Sequence, residues 1–317
     1  MNPLERGRNL LHNVRTGTQN AVEKTQQTVG NAVGAVKNTV AEGGQRVGQF
    51  VDGFENKAAD KARALGGLFG GSKPDRVYDG HLVGAAGQTF PPGTPLSQVP
   101  GVTPRNNPNP TQTFVYVNGI SNDKDAQFRS MQQIADATGG KVIGVHNATE
   151  GMVADLAQCV KDKLDKGHNP AVDSLADTVY SELKAGRSVH LMAHSQGGLV
   201  TSRALQDVAN RLRIEDGMSK SQVEQLLGKV NVETFGGAAG HYPDGPKYVH
   251  YVNNKDIVPT WFGQGNGKGL DDWALRDGGK GAVVRRFEHG SGINGTHGLN
   301  DAYLPQRVPF EQARAGK

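Results

Sequence analysis

The chain has 317 residues, with 35 Lys and Arg against 31 Asp and Glu for a formal net charge of +4. Acids and bases are interspersed and no basic block alternates with aromatics, so nucleic acid is not the expected partner. The single cysteine, Cys159, excludes an intramolecular disulfide; the histidines show no paired metal-ligand spacing, and no apolar run is long enough to span a bilayer.

Residues 1–72 differ in composition from the rest. They are rich in Gln, Asn, Lys, Thr, Val and Gly, and lack the apolar core of a secretory signal peptide. The expectation is a soluble protein that is cytoplasmic or exported by a dedicated secretion system. Two seven-residue apolar series interleave here: Val22, Val29, Val36, Gly43, Phe50 and Val33, Val40, Val47, Phe54. Together they draw one narrow stripe along an amphipathic helical extension. Its glycines cost roughly 1 kcal/mol each against Ala, so such a helix needs a surface to lie on. Another helix, a lipid headgroup layer and the chain's own catalytic domain all qualify. Residues 73–110 read as a Pro/Gly-rich connector or strap, mostly irregular.

From Thr111 the pattern is regular, and a third segment, 111–317, reads as one α/β domain. Strands are predicted at 113–117, 141–147, 188–194, 229–237, 247–254 and 282–290. Helices are predicted at 125–137, 153–166, 172–185, 197–213 and 220–227, with a last one at 299–304. Cys159 falls in the second of these helices and reads as a buried structural thiol. Apolar strands alternating with helices imply a mostly parallel sheet flanked by helices, with the active site at the strands' carboxyl ends.

One junction carries a chemical signature. "AHSQG", Ala193 to Gly197, matches G-x-S-x-G with Ala for the first glycine. Between a strand and a helix, this pattern lifts a Ser hydroxyl clear of the sheet on a tight turn. Ser195 is therefore the candidate nucleophile. A serine needs a base, and the base needs an orienting acid. The best acid is Asp256 in "HYVNNKDIVPT", with Asp244, Asp271 and Asp272 as rivals. The base is His297 or, alternatively, His289, both after the last strand; His194 reads as structural. One oxyanion donor is the Gln196 N–H at the helix start. The other comes from the "VNGIS" loop, where Asn118-Gly119 leads to the N–H of Ile120 or Ser121. Such chemistry needs neither metal nor cofactor.

The loop 260–281 holds both tryptophans, Trp261 and Trp273, with Phe262 among many glycines. It reads either as a lid or substrate wall, or as a surface loop with packed aromatics.

Together, "VYVNGI", "VIGVHNATEG", "VHLMAHSQGG", "YVNNKDIVP" and "HGLNDAYL" resemble a bacterial α/β-hydrolase of the lipase/esterase kind. The stretch from Thr111 to Leu304 is similar to lipase-like domains of secreted antibacterial effectors, which attack phospholipids of rival cells. The resemblance implies carboxylic-ester hydrolysis through an acyl-enzyme on a lipid or ester substrate. It also implies membrane-surface contact and, for an effector, a secretion adaptor and an immunity protein as partners. Housekeeping esterases share these motifs, an acyltransferase could use the same triad, and a non-catalytic interaction protein could use the same scaffold.

Overall fold

The computed structural model describes residues 76–119, 123–148, 169–267 and 276–317. The N-terminal helical extension and the helix expected at 153–166 lie outside these residues.

Among the described residues the strands form one eight-stranded sheet. They are β1 (Leu82–Val83), β2 (Thr89–Phe90), β3 (Thr113–Val117), β4 (Lys141–Val145), β5 (Val189–His194), β6 (Val230–Phe235), β7 (Lys247–Asn253) and β8 (Val283–Phe287). Their order is β2-β1-β4-β3-β5-β6-β7-β8. The strands from β3 onward pair in parallel, while β1 runs antiparallel to both β2 and β4. The segment read as a connector thus adds two strands to the sheet edge, and Val102 makes a further antiparallel bridge to Val142. Two-residue strands are too short to show a period of two, so the glycine- and proline-rich sequence hid them.

The helices follow local signals. α1 (Lys124–Thr138) starts where the Asp123 side chain accepts the Ala126 N–H, and ends at Gly139 in the left-handed region. α2 (Pro170–Lys184) is capped by Asn169, with Pro at its first position. α3 (Gln196–Ile214) follows Ser195 directly. α4 (Lys220–Leu227) opens with a Ser219/Gln222 capping box. Three short helices complete the set: α5 (Ile257–Trp261), α6 (Gly292–His297) and α7 (Phe310–Arg314). The last helix expected at 299–304 is instead a π-helical turn, Leu299–Tyr303, followed by a 3₁₀ turn, Leu304–Gln306. Pro305 and Pro309 interrupt the helical run, and α7 restarts after the second of them.

Alternation along the strands builds two cores. In β3, Val115 and Val117 face one side with Leu191, Val232 and the apolar stripes of α2 and α3. Phe114 and Tyr116 face the other, with Met131 of α1, Tyr251, Tyr303 and Phe310. Both faces are covered, which is why these strands read as continuous apolar runs. The C-terminal segment is tied to the sheet by a buried ion pair. Arg307 donates to Glu233 through Nε and Nη2, each at 2.9 Å, and His190 Nε2 meets the same carboxylate at 2.9 Å.

Candidate active site

The turn after β5 holds a residue in an uncommon backbone conformation. Ser195 sits at φ 56°, ψ −125°, one of two non-glycine residues at positive φ among those described. A residue with a side chain adopts this conformation only where its surroundings hold it there. Three hydrogen bonds do so. The Ser195 N–H donates to Phe235 O at 3.1 Å, and the Ser195 carbonyl accepts from Gly198 and Ala238 N–H at 3.0 and 2.9 Å. Gly197 is required by close approach: a Cβ there would lie 2.3 Å from Val117 O. Ala193, in the place of the usual first glycine, is fully buried within β5 and takes a regular strand position.

Across from Ser195 lies the carboxyl end of β7. Asp256 caps α5, its Oδ1 accepting the Val258 N–H at 3.0 Å. Its Oδ2 accepts two more bonds, from His297 Nδ1 at 2.6 Å and from the Tyr303 hydroxyl at 2.6 Å. His297 Nε2 faces Ser195 Oγ at 2.8 Å. The three side chains nominated from the sequence therefore stand in one hydrogen-bonded chain, nearly all of it out of solvent: Asp256 is 1% and Ser195 5% exposed.

His297 is delivered by α6, which Asn253 at the end of β7 holds in place. The Asn253 Nδ2 donates to Thr296 O and His289 O, each at 2.9 Å, and its Oδ1 accepts the His289 N–H at 3.1 Å. His289, the alternative base, is thereby fixed through its backbone while its side chain stands exposed; the imidazole that meets Ser195 is that of His297. Of the rival acids, Asp244 accepts the Lys280 N–H at 3.0 Å, and Asp271 and Asp272 lie outside the described residues.

His194 is buried, and burial together with the neighbouring His297 pushes its pKa down to about 3. It is therefore neutral at ordinary pH, and its Nε2–H donates to the His297 carbonyl at 2.8 Å. The side chain next to the serine thus holds the backbone of His297.

On the opposite flank, β3 and β4 end in two buried asparagines. Asn118 Oδ1 accepts the Asn147 N–H at 2.9 Å, and its Nδ2 donates to Asn147 O and Gly119 O, each at 2.9 Å. Asn147 Nδ2 in turn donates to Gln196 Oε1 at 2.8 Å. The Gln196 side chain is thus locked, and its N–H, in the first turn of α3, belongs to the set with no intrahelical acceptor. Gly119 lies against the serine: a Cβ there would sit 2.8 Å from Ser195 Cβ and 3.3 Å from Oγ. Ile120, the expected second donor, lies outside the described residues.

Trp261 ends α5 and is half-buried; Phe262 follows and is 7% exposed. Trp273 lies outside the described residues. Both stems of this loop are pinned to the body. Arg276 bonds Gly263 O and Thr260 O, Arg286 bonds Gly265 O and Gln264 O, and the buried His250 donates to Gly278 O.

Sequence reasoning missed Tyr303, Asn253 and Asn147. Asn147 ends one predicted strand, 141–147, and Asn253 lies one residue before the end of another, 247–254, a position at the carboxyl edge that could have singled them out.

Among the described residues, no group of three or more His, Cys, Asp or Glu is placed to hold a metal ion. No described helix is long and apolar enough to cross a membrane.

Sheet order, a nucleophile-type turn after β5 and a carboxylate after β7 define the α/β-hydrolase fold. No family model matches the sequence, and no curated protein matches it. Among solved structures, the chain is similar to a dienelactone hydrolase-like promiscuous phosphotriesterase from metagenomic libraries. The identity is 13% over 67% of this chain and 84% of that one, with a TM-score of 0.31.

Proposed function

We propose that the protein is a serine hydrolase that cleaves carboxylic esters through an acyl-enzyme. The observation that carries this reading is the chain Ser195–His297–Asp256, with contacts of 2.8 and 2.6 Å at the carboxyl edge of the sheet. His297 takes the Ser195 proton as Oγ attacks the ester carbonyl. Asp256 keeps the imidazole in the required tautomer and stabilises its cation. The Gln196 N–H stabilises the oxyanion, helped by the positive end of α3. Ile120 N–H is the proposed second donor. His297 then protonates the leaving alcohol, and a water activated by the same imidazole releases the acid.

The Gly119 backbone lies against Ser195, where a Cβ would sit 2.8 Å from Ser195 Cβ, and the acyl group is proposed to enter beside it. Trp261, at the end of the helix that Asp256 caps, is the proposed wall of the acyl site, with the buried Phe262 next to it in the chain. Lipid esters, and phospholipids in particular, are the proposed substrates; the motif resemblance supports them, as it supports the role of an exported antibacterial effector.

The test compares wild type with Ser195→Ala on p-nitrophenyl esters of increasing chain length and on phospholipid vesicles, with the products analysed. Ester cleavage lost in Ser195→Ala supports the reading, and release of fatty acid from vesicles supports the lipid substrate. Equal turnover by the two proteins refutes it.

A further inference from the structure

The Asp256 carboxylate is bonded beyond what a Ser-His-Asp triad requires. Its Oδ2 receives both the His297 Nδ1–H and the Tyr303 O–H, each at 2.6 Å. The carboxylate is an acceptor only, so the shared proton of the second contact belongs to the phenol. The direction of the hydroxyl is fixed from behind, because the Tyr303 oxygen accepts the Asn253 N–H at 3.4 Å. Burial, reinforced by the Asp256 charge, raises the Tyr303 pKa far above the ordinary phenol range, so it stays a donor. The space around the contact is closed: a Cβ on Gly236 would lie 2.8 Å from the Tyr303 oxygen and 3.0 Å from Asp256 Oδ2. The ring itself is held edge-on by Phe287 at 5.3 Å and by His194 at 6.2 Å.

The local backbone explains how Tyr303 reaches this point. It closes the π-helical turn Leu299–Tyr303, where both Ala302 and Tyr303 N–H groups donate to Gly298 O. The widened turn brings Tyr303 to the same carboxylate oxygen as His297, six positions earlier. Turns of this kind concentrate at functional sites.

From this geometry we infer that Tyr303 is a positioning residue for the triad, acting through Asp256 on the proton affinity of His297. The inference rests on the hydrolase reading above. A phenol on Oδ2 draws off part of the carboxylate's charge and fixes the oxygen that orients the imidazole. Removing it leaves the carboxylate held by the Val258 N–H and the imidazole, and makes Oδ2 a stronger partner for the imidazolium. Turnover then falls, and the pH at which His297 loses its proton rises.

The described groups that face His297 include Ser195 and the neutral His194 from the β5–α3 turn, Asp256 from the end of β7, and Tyr303. Asp301, on the same turn as Tyr303, is exposed. The face of α1 packed near this turn is apolar, with Met131 and partly buried Phe128. Phe287, from β8, adds no charge. The removal of one donor from Oδ2 is thus the main change that Tyr303→Phe makes here.

The experiment uses the full chain and the variants Tyr303→Phe, Asp256→Asn and the double variant. With a short p-nitrophenyl ester, Tyr303→Phe is expected to lower kcat about tenfold with KM unchanged, the size of one charge-assisted hydrogen bond. The midpoint of the acidic limb of kcat/KM is expected to rise by about 0.5 pH unit. In the double variant, the tyrosine substitution is expected to cost at most about threefold beyond Asp256→Asn, because its route runs through that carboxylate. A purely structural tyrosine would leave the limb in place and multiply its cost onto Asp256→Asn; either result overturns the inference. An NMR titration of the His297 ring in wild type and Tyr303→Phe reads the same shift without substrate. A shifted midpoint in a protein with no Ser195-dependent hydrolysis keeps the tyrosine's role and refutes the proposed function. An unchanged midpoint refutes the tyrosine's role alone.

Discussion

Gly119→Ala probes the reaction site with a single methyl group. Gly119 is buried and not at positive φ, so alanine suits its backbone and strain cannot account for an effect. The new Cβ would lie 2.8 Å from Ser195 Cβ and 3.3 Å from Oγ. Ordinary carbon–carbon contact begins at about 3.5 Å. The two residues must therefore separate by about 0.7 Å or more. Ser195 is the less free to move, since three backbone hydrogen bonds hold its strained conformation. Either the serine shifts away from His297 Nε2, now 2.8 Å from Oγ, or the Gly119 loop shifts away from the incoming carbonyl. A misplacement approaching 1 Å at reacting atoms costs on the order of 100-fold in rate. The overpacking itself costs about 1–3 kcal/mol of stability. The assay is kcat/KM for a short p-nitrophenyl ester, beside the rate of labelling by a fluorophosphonate and a thermal melt. A folded Gly119→Ala protein with wild-type kcat/KM would refute the placement of the acyl group at this face of Ser195.

Three further outcomes follow from the packing. Asn253→Ala removes the clamp on Thr296 and His289 and strands their carbonyls; kcat should fall tenfold or more, and an unchanged kcat would show that α6 is positioned by other contacts. Arg307→Ala leaves Glu233, fully buried, with His190 as its one side-chain partner among the described residues; denaturant unfolding should show a loss of about 3–5 kcal/mol, and a loss under 1 kcal/mol would contradict a buried charged pair. His194 and His250 are buried in their neutral forms, their pKa values lowered from 6.5 to about 3 and about 4. The unfolded chain binds protons at the ordinary histidine value, so this stability is complete above pH 6.5. It is lost as the pH falls toward 4, at roughly 1.4 kcal/mol per pH unit for each imidazole. Urea midpoints at pH 7 and pH 5 measure this, and a fall no smaller in His250→Asn would remove His250 from the explanation.

Long periodic elements were legible in the sequence. The strand at 113–117 and the helix at 220–227 appear with the expected bounds, because β-branched and aromatic residues alternating along a strand covered on both faces and a Ser-x-x-Gln capping box are each readable locally. The short elements were not legible: β1 owes its pairing to β4 beside it and β2 to β1, and α7 depends on Phe310 and Ala313 meeting the core. The site divides the same way. Ser195 announces itself through its neighbours at positions 193 and 197. Asp256 and His297 were reachable from chain order after β7 and β8. Tyr303 reads in the sequence as part of a helix; its contact with Asp256 depends on a π-helical turn and on Gly236, 67 positions away in the chain, leaving room for both groups. The mutual bonds of Asn118 and Asn147 are not legible until two strand ends are brought side by side.

The most direct measurement is to react the protein with a fluorophosphonate and locate the adduct by mass spectrometry. Trypsin releases Ser195 in the peptide spanning residues 188–203. One adduct per chain on Ser195, absent in Ser195→Ala and slowed in His297→Ala, is the result expected of a nucleophile activated by that imidazole. No adduct on that peptide, or an adduct that forms at the same rate without His297, would contradict it.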